Sequence, residues 1–183
     1  MEHFYQNIHG WFNYERLYTE MVNKFGDGSH FVEVGSWVGR SACYLGVAIF
    51  NSGKNIKLDC VDTWLGDVPE LQEEDVVKNG TLYTDFLRNI EPIKNIITPV
   101  RLTSIEASKL YDDESLDFVF IDANHSPEHI EADTNNWYPK VKKGGVFAGH
   151  DYDYPHIGER IRSFFDGGRY EVLTPNTWVH YKQ

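Results

Sequence analysis

Apolar residues along this chain recur in two alternating spacings. Short, nearly unbroken apolar runs of strand length occur at "HFVEVGS", "IKLDCVDTW", "IITPVRL", "LDFVFIDAN" and in "KKGGVFAGHDYDYP". Runs of this kind suit parallel strands buried on both faces. Between them the apolar positions shift to helical spacing, in "GRSACYLGVAIF", "YTDFLRNI", "SPEHIEADTNNWYPKV" and "GERIRSFFDG". The third of these helices carries its own start signal, with Ser126 as N-cap, Pro127 at the first helical position and Glu128 in the first turn. Ahead of the alternation, "WFNYERLYTEMVNKF" predicts an aromatic-rich amphipathic helix or two, ending at the turn-prone "GDGS". "RYEVLT" and "TWVHYK" predict a closing antiparallel hairpin around "PN". The whole pattern predicts an α/β fold with a doubly wound, mostly parallel sheet of about seven strands.

Composition narrows the class. The 183 residues suit one domain, residues 1–183, in which residues 1–29 form an N-terminal helical extension. Neither repeats nor a Pro/Gly/Ser-rich linker divides the chain. Cys43 and Cys60 are its two cysteines, with no C-x-x-C pair, and the opening "MEHFYQNIHGWFNYERLY" is too polar for a secretory leader. A reducing, cytoplasmic setting is expected. A formal charge of −11 repels phosphate backbones and anionic lipid. No apolar run nears the roughly 20 residues of a membrane span. The expected partner is therefore a small-molecule substrate rather than nucleic acid or membrane, with a homodimer left open.

Candidate chemistry collects at strand ends, where open α/β sheets bind ligands. In "EVGSWVGRS", Gly35 and Gly39 bracket a turn that a ligand can approach closely, and the helix beginning near Arg40 offers free N–H groups. Trp37 occupies the middle position of what would be a G-x-G-x-x-G. The second strand ends in Asp62, placed to accept hydrogen bonds from ribose hydroxyls or simply to cap its turn. Asp122 ends the fourth strand, His125 follows it, and His150 with Asp151 end the fifth. Carboxylates and imidazoles there serve as metal ligands, as acid–base groups, or as a polar turn before the next helix.

Taken together, "FVEVGSWVGRSACYLG", "CVDTWLGD" and "FVFIDANHSPEHIEADTNNWYPKVKKGGVFAGHDY" resemble the class I S-adenosylmethionine-dependent methyltransferases, in particular the small stand-alone group similar to macrocin-type O-methyltransferases. The resemblance implies a Rossmann-like fold, S-adenosyl-L-methionine as cofactor, and O-methylation of a small sugar-like or aromatic acceptor. It places Glu33, Gly35 and Ser36 at the methionine moiety, Asp62 at the ribose, and Ser104 with Ile105 at the adenine edge. Gly39 and Thr63 complete that cofactor-binding set, and Asp122 falls nearest the reacting methyl.

Related O-methyltransferases hold Mg²⁺ with an acid after the fourth strand and an Asp-Asp or Asp-Asn pair after the fifth. This chain has His-Asp. Three readings follow: a divalent metal (Mg²⁺ or Mn²⁺, with the histidine favouring Mn²⁺, Zn²⁺ or Fe²⁺) on Asp122, His150 and Asp151; a metal-free site with Asp122, His125 or His150 in catalysis; or no catalytic role for the pair. Trp11, Trp64 and Tyr152 are candidates to line an acceptor pocket, and "LGDVPELQEEDVVKNG" is a candidate lid. His129, His156 and His180 read as surface or core residues, and "DDES" as a solvated turn. The glycine turn with Asp62 also allows a nicotinamide-dependent oxidoreductase, and a nucleotide fold allows a non-catalytic binding protein.

Overall fold

A computed structural model describes residues 1–66, 71–72, 74–166, 168–173 and 176–183. Its centre is a seven-stranded sheet. The strands are β1 (His30–Val34), β2 (Lys57–Asp62), β3 (Ile97–Arg101), β4 (Leu116–Ile121), β5 (Val141–Gly149), β6 (Tyr170–Leu173) and β7 (Thr177–Tyr181). They lie in the order β3-β2-β1-β4-β5-β7-β6. The pairs from β3 to β5 are parallel, and β7 runs antiparallel to both β5 and β6. The hairpin expected from the last apolar runs is present, although Pro175 of its turn lies outside the described residues.

Among the described residues seven α-helices flank the sheet: α1 (Glu15–Lys24), α2 (Arg40–Ser52), α3 (Asp75–Lys78), α4 (Leu82–Ile90), α5 (Ser104–Ser108), α6 (Pro127–Trp137) and α7 (Pro155–Phe164). The strands alternate their side chains between two cores. Phe31, Leu58, Phe118 and Phe120 pack with Tyr18, Leu45 and Phe86 of α1, α2 and α4. Val32, Val119 and Phe147 pack with Ile130, Trp137 and Ile161 of α6 and α7. Burial on both sides explains why β1 and β4 read as continuous apolar runs rather than alternating ones. Ser126 caps α6 through its hydroxyl, as its sequence predicts. Two short helices, α3 and α5, are additions to the expected elements, and α7 starts at Pro155 rather than near Gly158. Among the described residues no helix is long and apolar enough to cross a membrane.

The strand order positions the site. From β1 the chain moves outward to β2 and β3, then returns to β4 on the other side of β1. The connections after β1 and β4 therefore diverge and leave a crevice at their carboxyl ends. Backbone bonds close the base of that crevice: Gly35 N–H donates to Val61 O at 2.8 Å, Asp122 N–H to Val34 O at 2.8 Å, and His150 N–H to Ile121 O at 3.0 Å.

Candidate active site

The turn after β1 begins with a glycine because nothing larger fits. Gly35 has φ +92°, and a Cβ there would overlap the main chain of Asp122 and Ala123. The constraint comes from the neighbouring strand end, so Gly35 is demanded by the fold itself, before any ligand is considered. Trp37, with φ +49°, takes the left-handed conformation that a glycine would favour. Asp62 at the end of β2 holds this turn, because its carboxylate accepts the Trp37 N–H at 2.9 Å and the Trp64 N–H at 2.7 Å. Gly39, at φ +89°, caps the start of α2 against the Phe86 ring.

Beneath this turn lies Glu33, fully buried, with the Tyr18 hydroxyl donating to it at 2.6 Å. Burial pushes its carboxyl up to about 7, against the hydrogen bond from Tyr18.

At the ends of β4 and β5 four ionisable side chains meet. His125 Nε2 lies 2.9 Å from Asp151 Oδ2, and His150 Nδ1 lies 3.1 Å from Asp151 Oδ1 and 3.8 Å from Asp122 Oδ1. Tyr14 donates its hydroxyl to Asp122 at 2.8 Å, and His150 Nε2 reaches Asn13 Oδ1 at 2.9 Å. Burial, reinforced by the nearby Asp151 charge, raises the Asp122 carboxyl to about 6 despite His150 and Tyr14. For Asp151 burial acts in the same direction, but hydrogen bonds from His125 and His150 outweigh it and hold the acid well below the usual carboxylate range. His150 is raised: burial opposes its charge, while Asp151 and Asp122 favour it more strongly. Oxygen atoms face both of its ring nitrogens, which suits an imidazolium. Asp151 itself has φ +58°.

Both groups open onto one cavity of about 670 Å³, whose lining includes Gly35, Ser36, Asp62, Thr63, Ser104, Asp122, His125, His150 and Asp151. That volume is in the range of small-molecule sites. Glu33, Gly39 and Ile105 are not part of the lining; Ser36 and Ser41 of the same turn and helix are.

A compact donor set for a divalent cation exists among the described residues, with one ligand atom each from Asp122, His125 and Asp151 within 4.8 Å of one another. This set shares Asp122 and Asp151 with the expected trio; His150, the third member of that trio, turns Nδ1 toward the same two acids and bonds Asn13 through Nε2. Two of the proposed pocket aromatics are displaced. Trp64 is 3% exposed and packs on Tyr83 and Phe86, and Tyr152 bonds the Tyr170 hydroxyl at 2.9 Å outside the lining. Trp11 does line the cavity. Of the candidate lid, residues 67–70 and 73 lie outside the described residues, while Gly66, Leu71 and Glu74 line the cavity.

Residues 32–152 match the methyltransferase-domain family, which is well over half of the chain. The chain belongs to that family. Its methyltransferase fold is shared with solved structures of low sequence identity. The O-methyltransferase NovP is 16% identical with a TM-score of 0.70, covering 92% of this chain and 79% of its own. An S-adenosylmethionine-dependent O-methyltransferase from Thermotoga maritima is 12% identical with a TM-score of 0.64, covering 97% of this chain and 69% of its own. The uncharacterized protein y4gI of Sinorhizobium fredii is 26% identical over 127 residues, a stretch that is 69% of this chain and 13% of that relative.

Several cavity residues carried no local signal. Asn13 and Tyr14 reach His150 and Asp122 across 137 and 108 positions of sequence. His129 and Asp133 line the cavity from successive turns of α6. Ser104 donates its hydroxyl to Asp133 and accepts the Trp137 Nε1–H at 2.8 Å, and burial raises the Asp133 carboxyl to about 6. One signal was available: Thr103 and Glu106 form a capping box, so "TSIE" announces α5 and the placement of Ser104.

Proposed function

We propose that this protein is an S-adenosylmethionine-dependent O-methyltransferase acting on a small hydroxylated acceptor. The observation that carries the reading is the single cavity at the β1/β4 crevice, which joins the glycine turn and Asp62 to the Asp122, His125, His150 and Asp151 group. Gly35 and Ser36 would border the methionine moiety, Asp62 and Thr63 the ribose, and Ser104 the adenine side. Bound S-adenosylmethionine supplies a methyl group on a sulfonium: its S–CH₃ bond breaks, an O–CH₃ bond forms, a neutral thioether is left, and the acceptor hydroxyl gives up its proton. Asp122 is the group best suited to receive that proton, because burial lifts its carboxyl towards neutrality. Tyr14 holds one of its oxygens by a hydrogen bond, His150 lies 3.8 Å from the other, and Asn13 holds His150.

The donor chemistry of Asp122, His125 and Asp151 also fits a divalent cation, with the imidazole favouring Mn²⁺, Fe²⁺ or Zn²⁺ over Mg²⁺. When bound, such an ion would lower the pKa of the acceptor hydroxyl.

The test is titration calorimetry with S-adenosylhomocysteine, followed by methyl transfer from labelled S-adenosylmethionine to a panel of hydroxylated acceptors, with and without chelator. Binding that is weakened by Asp62→Asn, together with turnover lost in Asp122→Asn, is expected. Absence of S-adenosylhomocysteine binding overturns the reading. Turnover that survives chelator but requires Asp122 assigns the proton to the carboxylate alone.

A further inference from the structure

Resting on the methyltransferase reading, we infer that the acceptor is a phenol bearing no anionic group, held at the cavity mouth by Trp11 and Tyr154. Large aromatic side chains exposed to water are informative when they border a pocket. Trp11 is 63% exposed and Tyr154 43% exposed, and both line the cavity. Each is tied to the acid–histidine group. Tyr154 lies 4.9 Å, ring to ring, from His125, and Trp11 precedes by two and three positions the Asn13 and Tyr14 that contact His150 and Asp122. These rings offer apolar faces beside the atoms proposed to handle the acceptor hydroxyl, which is where a flat ring would be held by burial and stacking.

Charge selects among rings. The described lining carries five carboxylates, Asp62, Glu74, Asp122, Asp133 and Asp151, against one arginine and three histidines. Even with the Arg40 charge counted, acids outnumber it, and two of the histidines, His125 and His150, already face Asp151. A carboxylate, phosphate or nucleotide-linked acceptor would enter a field of its own sign.

Acidity selects among hydroxyls. A phenol ionises near pH ~10, well below the aliphatic hydroxyls of a sugar, so it gives up its proton more readily to a carboxylate base.

The experiment measures dissociation constants of para-hydroxybenzamide, para-hydroxybenzoate, para-hydroxybenzylamine and methyl glucoside, each with and without S-adenosylhomocysteine, in the wild type and in Trp11→Ala, Trp11→Phe and Tyr154→Ala. The amide and the amine should bind about tenfold or more tightly than the benzoate, which carries the charge penalty. Trp11→Ala and Tyr154→Ala should each weaken them by about tenfold, with Trp11→Phe restoring most of the loss and S-adenosylhomocysteine affinity unchanged. Equal binding of benzoate and benzamide, binding of the glucoside in preference to the phenols, or indifference to both alanine variants overturns the inference. If S-adenosylhomocysteine binds and no phenol does, the ring site alone falls. If phenols bind through Trp11 while S-adenosylhomocysteine does not, the methyltransferase reading falls and the ring site stands.

Discussion

The turn after β1 and the paired ends of β4 and β5 face the same cavity but are constrained by different physics. In the turn, identity follows from backbone space: Gly35 is pressed against the main chain of Asp122, and the Asp62 carboxylate is bonded to the Trp37 and Trp64 amides. At the strand ends, identity follows from charge: Asp122 and Asp151 share one pocket, and they are pushed in opposite directions because two histidines bond Asp151 while burial dominates at Asp122. A glycine motif of this kind therefore reports the fold more directly than the ligand. The acid–histidine group is fixed instead by its charges and hydrogen bonds, and the proposed chemistry rests on it.

The sharpest break of this comparison is Gly35→Ala. Overlap with Asp122 and a left-handed φ act together, so the substitution should cost about 3 kcal/mol or more, read by urea denaturation. Gly35→Val should fail to fold. A stable Gly35→Ala protein that merely loses cofactor affinity would return the glycine to a ligand role.

Asp122→Asn, by contrast, should leave the unfolding free energy from urea denaturation within about 1 kcal/mol of wild type and lower turnover by roughly 10²–10⁴-fold. The amide can still accept from Tyr14, so equal losses of stability and turnover would show that the strand ends are also governed by packing.

Asp62→Asn lies between the two classes, because its carboxylate serves the turn and lines the cavity. Affinity for S-adenosylhomocysteine should fall by about 1.5–3 kcal/mol, measured by calorimetry, if a charge-assisted contact to the ligand is lost. An affinity unchanged alongside reduced stability would make Asp62 a turn residue only.

The last contrast is the pH dependence set by Glu33. Its folded carboxyl stands at about 7 against 4.5 for the free group, so folding favours the protonated form. Its stabilising contribution is complete below about 4.5, declines as pH rises to about 7, and has no further slope above that. The decline should reach at most about 1.4 kcal/mol per pH unit, and it should disappear from the stability profile of Glu33→Gln. An identical profile in the variant would show that Glu33 is not the buried acid responsible.

Sequence alone determined the order and type of the main elements. Burial on both faces writes β1 and β4 as apolar runs, and the N-cap at Ser126 lies within the segment it starts, so each signal is local. It also placed Gly35, Asp62, Asp122, His125, His150 and Asp151 at strand ends, where a parallel sheet gathers them. Tertiary structure decided what those residues touch. The orientation of the His150 ring depends on Asn13, which no spacing links to residue 150. The burial of Trp64 depends on Tyr83 and Phe86 of α4. Exposure of Trp11 and Tyr154 at the cavity mouth depends on how the N-terminal segment and the β5–α7 connection meet. Local backbone preference and hydrophobic period act over a few residues and survive in the linear code. The bonds of Tyr14 to Asp122 and of Asn13 to His150 join segments more than a hundred positions apart, and only the folded sheet sets those distances.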